Sequence, residues 1–245
     1  MSRFYVQPQS IRDDKIHVEK EERHHIVDVM RLGEGDAVVA FDGRGNEYVG
    51  VITCIDAKEV IIDIKEVKTP DSKRNFRITL AQAIPKKDKM DTVVQKATEL
   101  GVDEIIPLST ERTIVKADNE RIKSKIERWR RIAIEASKQC GRTELPLVRP
   151  MLKFNDLIEM VDNYNFTIMP CLSEDSISLY SALADIKESD KSLVMIGPEG
   201  GFTEAEKAAA ASHGVILVSL GDLVLKSDTA AIATLSVLNY EYKCM

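Results

Sequence analysis

The sequence predicts an α/β protein whose larger part is built around a parallel sheet. Residues 193–240 provide the main evidence, because a short apolar run at 193–196 is followed by a glycine-rich turn and a helix-like segment. A second apolar run at 215–219, a breaker loop and a closing helix-like segment repeat the pattern. Such strand–loop–helix units in series are typical of parallel sheets, which bind ligands at the carboxyl ends of their strands. If the two strands are neighbours, loops 197–203 and 220–227 lie at one edge.

The turn Gly197-Pro198-Glu199-Gly200-Gly201 determines what kind of ligand this edge can take. Glycines without side chains allow a flat or bulky molecule to approach the backbone. The spacing matches neither the dinucleotide fingerprint nor the phosphate-binding loop, so those ligands are poorly supported. A tight strand-to-helix connection without a ligand is the alternative. Thr203, with Glu206 three residues later, predicts a capping box at the start of a helix over 204–212.

Composition favours a protein that buries a large core. The 245 residues are 44% hydrophobic and 30% charged, and no apolar run approaches the ~20 residues needed to span a bilayer. The first residues enter a strand-like pattern directly, which predicts no signal peptide. The four cysteines are far apart and form no CxxC pair. We therefore expect reduced thiols, no metal, no membrane partner and a cytoplasmic location.

Charge is distributed unevenly along the chain. The formal net charge is −6 overall, divided into −5 for residues 1–72, +7 for 73–149 and −8 for 150–245. A basic segment between two acidic ones permits a local nucleic-acid-binding stripe, and a solvated helix face is the alternative.

The chain divides into two predicted domains, 1–72 and 73–245, joined by a polar linker at 69–73. The first is β-rich, with strand-like runs at 38–41, 48–55 and 60–67, a hairpin turn at 42–46 and one helix near 20–30.

In the second domain, strands are expected at 76–84, 102–108 and 166–170, and helices at 90–100 and 119–140. The long helix carries an apolar stripe, in which Trp129 is expected to pack against the core. This stripe consists of Ile122, Ile126, Trp129, Ala133, Ala136 and Cys140.

Several motifs taken in order resemble the RsmE family, bacterial enzymes that methylate N3 of a uracil in 16S ribosomal RNA. The resemblance extends nearly end to end. It rests on Arg3-Phe4-Tyr5, His24-His25, Met30-Arg31, residues 95–101, Glu111-Arg112, Gln139-Cys140-Gly141-Arg142, residues 196–202, Leu220-Gly221 and residues 225–230.

The resemblance implies a small PUA-like β-barrel domain that docks RNA, followed by a SPOUT domain with a knotted chain, a topology that is otherwise nearly absent. It also implies S-adenosylmethionine as cofactor, 16S ribosomal RNA or the small ribosomal subunit as substrate, and a homodimer. The expected cofactor residues are Leu172, Ile196, Gly197, Pro198, Glu199, Gly200, Gly201, Leu220, Gly221, Val224 and Leu225.

Three residues are the expected catalytic groups. Glu199 is the first candidate for the base that removes the uracil N3 proton and Asp228 the second, while Arg142 steadies the uracil or a phosphate. Alternatively, Glu199 only bonds turn N–H groups and Arg142 only caps a helix.

The expected RNA contacts come from both domains, and one histidine of the pair 24–25 is alternatively a core residue. The set comprises Arg3, Arg23, His24, His25, Arg31, Lys86, Lys89, Lys96, Arg112, Gln139 and Arg142.

The third cofactor loop departs from the family pattern. Leu223 and Lys226 stand where relatives carry arginine, and Asp228 stands for glutamate. Backbone recognition of a cofactor survives such changes, whereas bidentate contacts do not. An RNA-binding relative with weak or altered catalysis therefore remains an alternative, as does a small-molecule α/β enzyme.

Overall fold

The computed structural model describes residues 2–69, 76–86, 88–113, 119–184 and 191–243. The chain forms two compact units, Met1–Lys73 with Ser137–Leu145, and Arg74–Ala136 with Pro146–Met245. The predicted boundary at 72/73 assigned residues 137–145 to the second domain, whereas the structure groups them with the first. Most of the predicted linker, residues 70–73, lies outside the described residues.

The first unit is a strongly curled, mainly antiparallel sheet with the strand order β1-β4-β5-β6-β3-β2, in which β1 runs parallel to β4. A π-helical turn over His25–Val29 continues the α-helix Lys20–His24. Its core contains Phe4, Ile16 and Ile62. The elements are β1 (Ser2–Tyr5), β2 (Ile11–Arg12), β3 (Lys15–Glu19), α1 (Lys20–His24), β4 (Ala37–Phe41), β5 (Glu47–Ile55) and β6 (Glu59–Lys68).

The predicted hairpin turn at 42–46 is confirmed. The Asp42 carboxylate accepts the Arg44 and Asn46 N–H groups at 2.8 and 3.2 Å. The two glycines of the turn allow residues 143–145 to approach, since Gly45 N–H donates to Thr143 O and a Cβ on Gly43 would lie 2.9 Å from the Leu145 side chain. This close approach holds residues 137–145 in the first unit.

The second unit is a parallel sheet with the order β10-β8-β7-β13-β11-β14-β12, and β9 pairs with β8. Its elements are β7 (Arg77–Ala83), α2 (Lys89–Glu99), β8 (Glu104–Ser109), α3 (Asn119–Cys140), β9 (Leu147–Val148), β10 (Leu152–Lys153), α4 (Phe154–Ile158), β11 (Phe166–Pro170), β12 (Ile177–Ser178), α5 (Leu179–Leu183), β13 (Lys191–Ile196), α6 (Glu204–Ser212), β14 (Ile216–Ser219) and α7 (Ser227–Lys243).

Apolar cores cover both faces of this sheet. One contains side chains of α2, α3, α5 and α7, and the other contains side chains of α4 and α6. Strands covered on both faces are apolar along their length, and this is why β13 reads as a continuous hydrophobic run. Trp129 is buried in the first core and its Nε1 donates to Asp91 at 3.1 Å, which confirms that it packs. Cys140, expected in the same stripe, is exposed.

The strand order corrects one expectation. β13 and β14 are not neighbours, because β11 lies between them and pairs in parallel with both. All three strands point the same way, so the loops that follow them still meet at one edge. Within the described ranges, none of the helices is both long and apolar enough to cross a bilayer.

A steric test of the first unit is available at Gly50 in β5. A Cβ there would meet Ile62 Cγ2 at 2.6 Å and the Asp63 carbonyl oxygen at 2.7 Å. We expect Gly50→Ala to lower the free energy of unfolding by about 1–3 kcal/mol, the usual cost of overpacking. Gly33→Ala is the control, since nothing lies within 4 Å of its added Cβ, and it should change stability by less than about 0.5 kcal/mol. Urea unfolding followed by circular dichroism measures both, and equal stabilities would contradict the steric assignment.

Candidate active site at the carboxyl edge of the sheet

Three loops form one pocket at the carboxyl ends of β11, β13 and β14. Its volume is about 350 Å³, within the usual size range of small-molecule sites. We call residues 171–176 the first loop, 197–203 the second and 220–226 the third. All eleven residues expected to bind a cofactor line this pocket: Leu172, Ile196, Gly197, Pro198, Glu199, Gly200, Gly201, Leu220, Gly221, Val224 and Leu225. Their role in binding remains a prediction.

The second loop turns back on itself so tightly that its glycines are required. Gly201 N–H donates to Pro198 O at 2.9 Å, and Gly201 has a φ of +68°, which side-chain-bearing residues rarely adopt. A Cβ on Gly197 would lie 3.2 Å from the Gly201 carbonyl carbon and the Phe202 nitrogen. The loop therefore presents backbone groups to the pocket.

The predicted capping box ends this loop and begins α6. Thr203 Oγ1 accepts the Glu206 N–H at 3.2 Å, and Glu206 Oε2 accepts the Thr203 N–H at 2.9 Å. The other oxygen of Glu206 accepts the Glu111 N–H at 2.9 Å. Glu206 is thereby buried with its carboxylate satisfied, and it anchors the second loop to the end of β8.

Arg112 forms part of the pocket wall. Its Nη1 donates to the Gly200 carbonyl oxygen at 2.5 Å, and a Cβ on Gly200 would lie 3.3 Å from Arg112 Cδ. The sequence suggested an RNA contact for this arginine. The structure places its guanidinium against the second loop, where it stabilises the turn.

A lysine and two carboxylates lie together beside the second loop. Lys89 Nζ is 3.7 Å from Glu199 Oε1 and 3.5 Å from Asp228 Oδ1. Glu199 also accepts the Lys86 N–H at 3.1 and 3.4 Å. Asp228 Oδ1 is buried and, in the described part of the chain, has no hydrogen-bond partner. One positive charge between two negative ones reduces the repulsion of the carboxylates and leaves the cluster with a net negative charge.

Sequence reasoning missed Lys207, which is only 8% exposed and lines the pocket. Its Nζ donates to the Leu172 carbonyl oxygen at 3.3 Å and pairs with Glu204 Oε1 at 2.7 Å. The sequence did carry one signal for Lys207. It lies four residues after the helix cap Thr203, a position at which the side chain faces the sheet. Burial raises the pKa of the neighbouring Cys171 thiol, and the Lys207 charge opposes this rise with a smaller effect.

The expected RNA residues of the second unit are divided between two places. Lys86, Lys89 and Arg112 lie beside the pocket, as described above. Lys96 is one turn from the end of α2 and pairs with Glu99 at 2.8 Å, which is the geometry of an ordinary surface ion pair.

Three of the expected residues in the first unit have structural partners. Arg3 pairs with Glu47 and lies over the Phe41 ring at 4.8 Å from its centroid. Arg142 is buried and its Nε donates to the Glu144 carbonyl oxygen. Arg23 donates to the Asp56 carbonyl oxygen at 3.0 and 2.6 Å.

The other four are more accessible. His24 is exposed and its Nδ1 lies 2.7 Å from Asp28. His25 packs edge-on against the core residue Phe4 at 5.7 Å, so one histidine of the pair does face the core. Arg31 and Gln139 are exposed.

Comparison with known proteins identifies the family. The RNA methyltransferase domain family matches residues 72–239, and the RNA methyltransferase PUA domain family matches residues 18–65. Ribosomal RNA small subunit methyltransferase E of Bacillus subtilis is 30% identical over 248 residues, covering 98% of this chain and 97% of the relative.

Solved structures agree. Ribosomal RNA small subunit methyltransferase E of Neisseria gonorrhoeae, bound to S-adenosylmethionine, has a TM-score of 0.86 at 30% identity over 99% of this chain and 98% of that one. A Legionella pneumophila protein in complex with the same cofactor has a TM-score of 0.88 at 32% identity over 98% and 97% of the two chains. The chain therefore belongs to the RNA methyltransferase family that includes the ribosomal RNA small subunit methyltransferase E enzymes, and it has a SPOUT fold with a PUA-like domain.

Proposed function

We propose that this protein transfers a methyl group from S-adenosylmethionine to N3 of a uracil in 16S ribosomal RNA. The observation that carries the proposal is the pocket at the carboxyl edge, which all eleven expected cofactor residues line. Relatives that match nearly the whole chain were solved with this cofactor bound.

The residues of the pocket fit this cofactor. Leu172, Leu225 and Ile196 supply apolar surface for a flat base, while the glycines of the second loop expose main-chain groups that can read its edge. A sulfonium carries an already activated methyl group, so the protein need supply only orientation and the removal of a proton.

The proton on uracil N3 must leave before the nitrogen can attack. A carboxylate within reach would accept this proton first, and the N3 anion would then take the methyl group that bound S-adenosylmethionine supplies, with the carbon–sulfur bonding electrons remaining on sulfur. The proton then passes from the carboxylate to water. Both carboxylates lie beside Lys89, and Glu199 is our first choice for this base because it lines the pocket, whereas Asp228 does not.

The expected homodimer is supported by apolar side chains on the third loop and α7. Leu223 and Val224 are 78% and 76% exposed, and Tyr240 is 70% exposed. A second copy of the chain would cover these side chains. Light scattering at micromolar concentration measures the molar mass, and the mass of a monomer would contradict the dimer.

Action on 16S ribosomal RNA or the small ribosomal subunit implies a cytoplasmic location.

A second function class follows from the third loop. Where relatives carry arginine, Leu223 contributes an exposed apolar side chain. An RNA-binding protein with altered catalysis is consistent with this change. Calorimetric titration with S-adenosylmethionine separates the two functions, because an RNA-binding protein without the transferase activity need not bind the cofactor.

The base assignment predicts a selective loss of rate. Glu199→Gln keeps the shape of the side chain but cannot accept the proton, so we expect methyl transfer to fall about 10²-fold or more. The affinity for S-adenosylmethionine should change little. Single-turnover transfer of labelled methyl to small ribosomal subunits, with mapping of the modified nucleoside, measures the rate.

Glu204→Gln is the matched control, since Glu204 also lines the pocket but its side chain is 87% exposed. Its rate should stay near that of the wild type. A full rate for Glu199→Gln together with a slow Asp228→Asn would transfer the role of base to Asp228.

The pocket also predicts the reactivity of two cysteines. Because burial raises the pKa of Cys171, its thiolate fraction near pH 8 is small, and alkylation by iodoacetamide should be slow and should accelerate as the pH rises. Exposed Cys140 should react faster.

S-adenosylmethionine should slow the alkylation of Cys171, which lines the pocket, and leave that of Cys140 unchanged. Peptide mass spectrometry over a time course measures both rates. Equal protection of the two thiols, or none at Cys171, would place the cofactor elsewhere.

A further inference from the structure

A chain of hydrogen bonds beneath the pocket joins three distant segments. Gln82 Nε2, at the carboxyl end of β7, donates to Ser227 Oγ at 2.9 Å and to the Ala83 carbonyl oxygen at 2.9 Å. Ser227 Oγ in turn donates to the Gly197 carbonyl oxygen at 2.5 Å. Gln82 is fully buried and Ser227 is 6% exposed.

The chemistry fixes the direction of each bond. The Ala83 oxygen can only accept, so the Gln82 atom facing it must be the amide nitrogen, which has a second N–H for Ser227. The Gly197 oxygen also can only accept, so the Ser227 hydroxyl hydrogen points to it. One hydroxyl therefore accepts from β7 and donates to the second loop.

Both ends of the Ser227–Gly197 bond line the pocket. Gly197 is the first residue of the second loop, and Ser227 directly follows the third loop as the first residue of α7. The bond therefore fixes the distance between the start of the second loop and the end of the third loop. Gln82 does not line the pocket and acts on it only through Ser227.

The buried amide is retained at a cost. In the described part of the chain, Gln82 Oε1 has no hydrogen-bond partner. Apolar side chains fill neighbouring positions of β7, and one at position 82 would avoid this unsatisfied oxygen. Retention of a buried polar group with an unsatisfied atom calls for a reason beyond packing.

We infer that Gln82 and Ser227 are positioning residues that hold the second and third loops at the spacing the cofactor requires. This inference rests on the proposed function. It assigns a role to Gln82 and Ser227, neither of which was among the cofactor or catalytic residues expected from the sequence.

Ser192 provides a matched control for a purely structural role. It is also fully buried in this sheet, and its hydroxyl donates to the Arg77 carbonyl oxygen at 3.2 Å. This bond lies at the opposite, amino end of β13 and β7. Ser192→Ala therefore removes an equivalent bond without touching the pocket.

The test compares Ser227→Ala, Gln82→Met and Ser192→Ala by calorimetric titration with S-adenosylmethionine and with S-adenosylhomocysteine, which needs no turnover. We expect both pocket variants to raise Kd about five- to tenfold, the factor that one net hydrogen bond contributes. Ser192→Ala should lower Tm by about as much as the two pocket variants do, and it should leave Kd within about twofold of the wild type. The KM for the cofactor should rise in the pocket variants with little change in kcat.

The double variant adds a second readout. Because Gln82 acts through Ser227, the two substitutions combined should raise Kd no more than Ser227→Ala alone, whereas independent effects would multiply. If Ser227→Ala fails to fold, Gln82→Met still carries the test, because it removes the bond that orients the Ser227 hydroxyl and leaves the Ser227 side chain itself unchanged.

The outcomes separate this inference from the proposed function. Wild-type binding with unchanged Kd in both pocket variants overturns the inference alone. An equal rise of Kd in Ser192→Ala also overturns the inference, because the effect of the pocket variants would then be a general loss of stability. A wild-type protein that binds neither ligand overturns the proposed function and the inference together.

Discussion

The parallel alignment of β11, β13 and β14 is the constraint on which the site depends. Because the three strands point the same way and adjoin in the sheet, the loops after them must emerge side by side. No loop has to cross the sheet to reach the pocket. Burial of the strands under helices on both faces makes this alignment costly to change, since each face contributes a separate apolar core.

Local signals in the sequence predicted most elements but not their arrangement. The capping box at Thr203 and Glu206 depends on residues three apart, and the structure confirms both of its bonds. The position of β11 between β13 and β14 could not be predicted, because strand order depends on contacts between segments far apart in the chain. The same holds for the grouping of residues 137–145 with the first unit, because tertiary contacts decide it although residues 137–140 are the last turn of α3.

The candidate site was predictable where its chemistry lies in the backbone. Glycines with a required conformation, such as Gly201, mark the second loop directly in the sequence. Side chains that act through burial left weaker signals. Lys207 is an ordinary lysine in an alanine-rich helix until the helix is packed on the sheet, and Arg112 reads as a surface charge until its guanidinium meets the Gly200 carbonyl. The partners of each basic side chain therefore decide whether it is available to contact RNA. Counting charges along the sequence could not reveal these partners.

The third loop has exposed side chains in its middle and is held by a buried residue at its end. Leu223 and Val224 are largely exposed although they line the pocket, so substitution there changes the outer surface of the loop more than it changes the buried part of the pocket. Immediately after the loop, Ser227 is buried and bonded to the second loop. The outer side chains of the loop can therefore differ while its inner end stays fixed. Departures from the family pattern at Leu223 and Lys226 should accordingly affect RNA or subunit contact, whereas cofactor affinity should depend on the buried end.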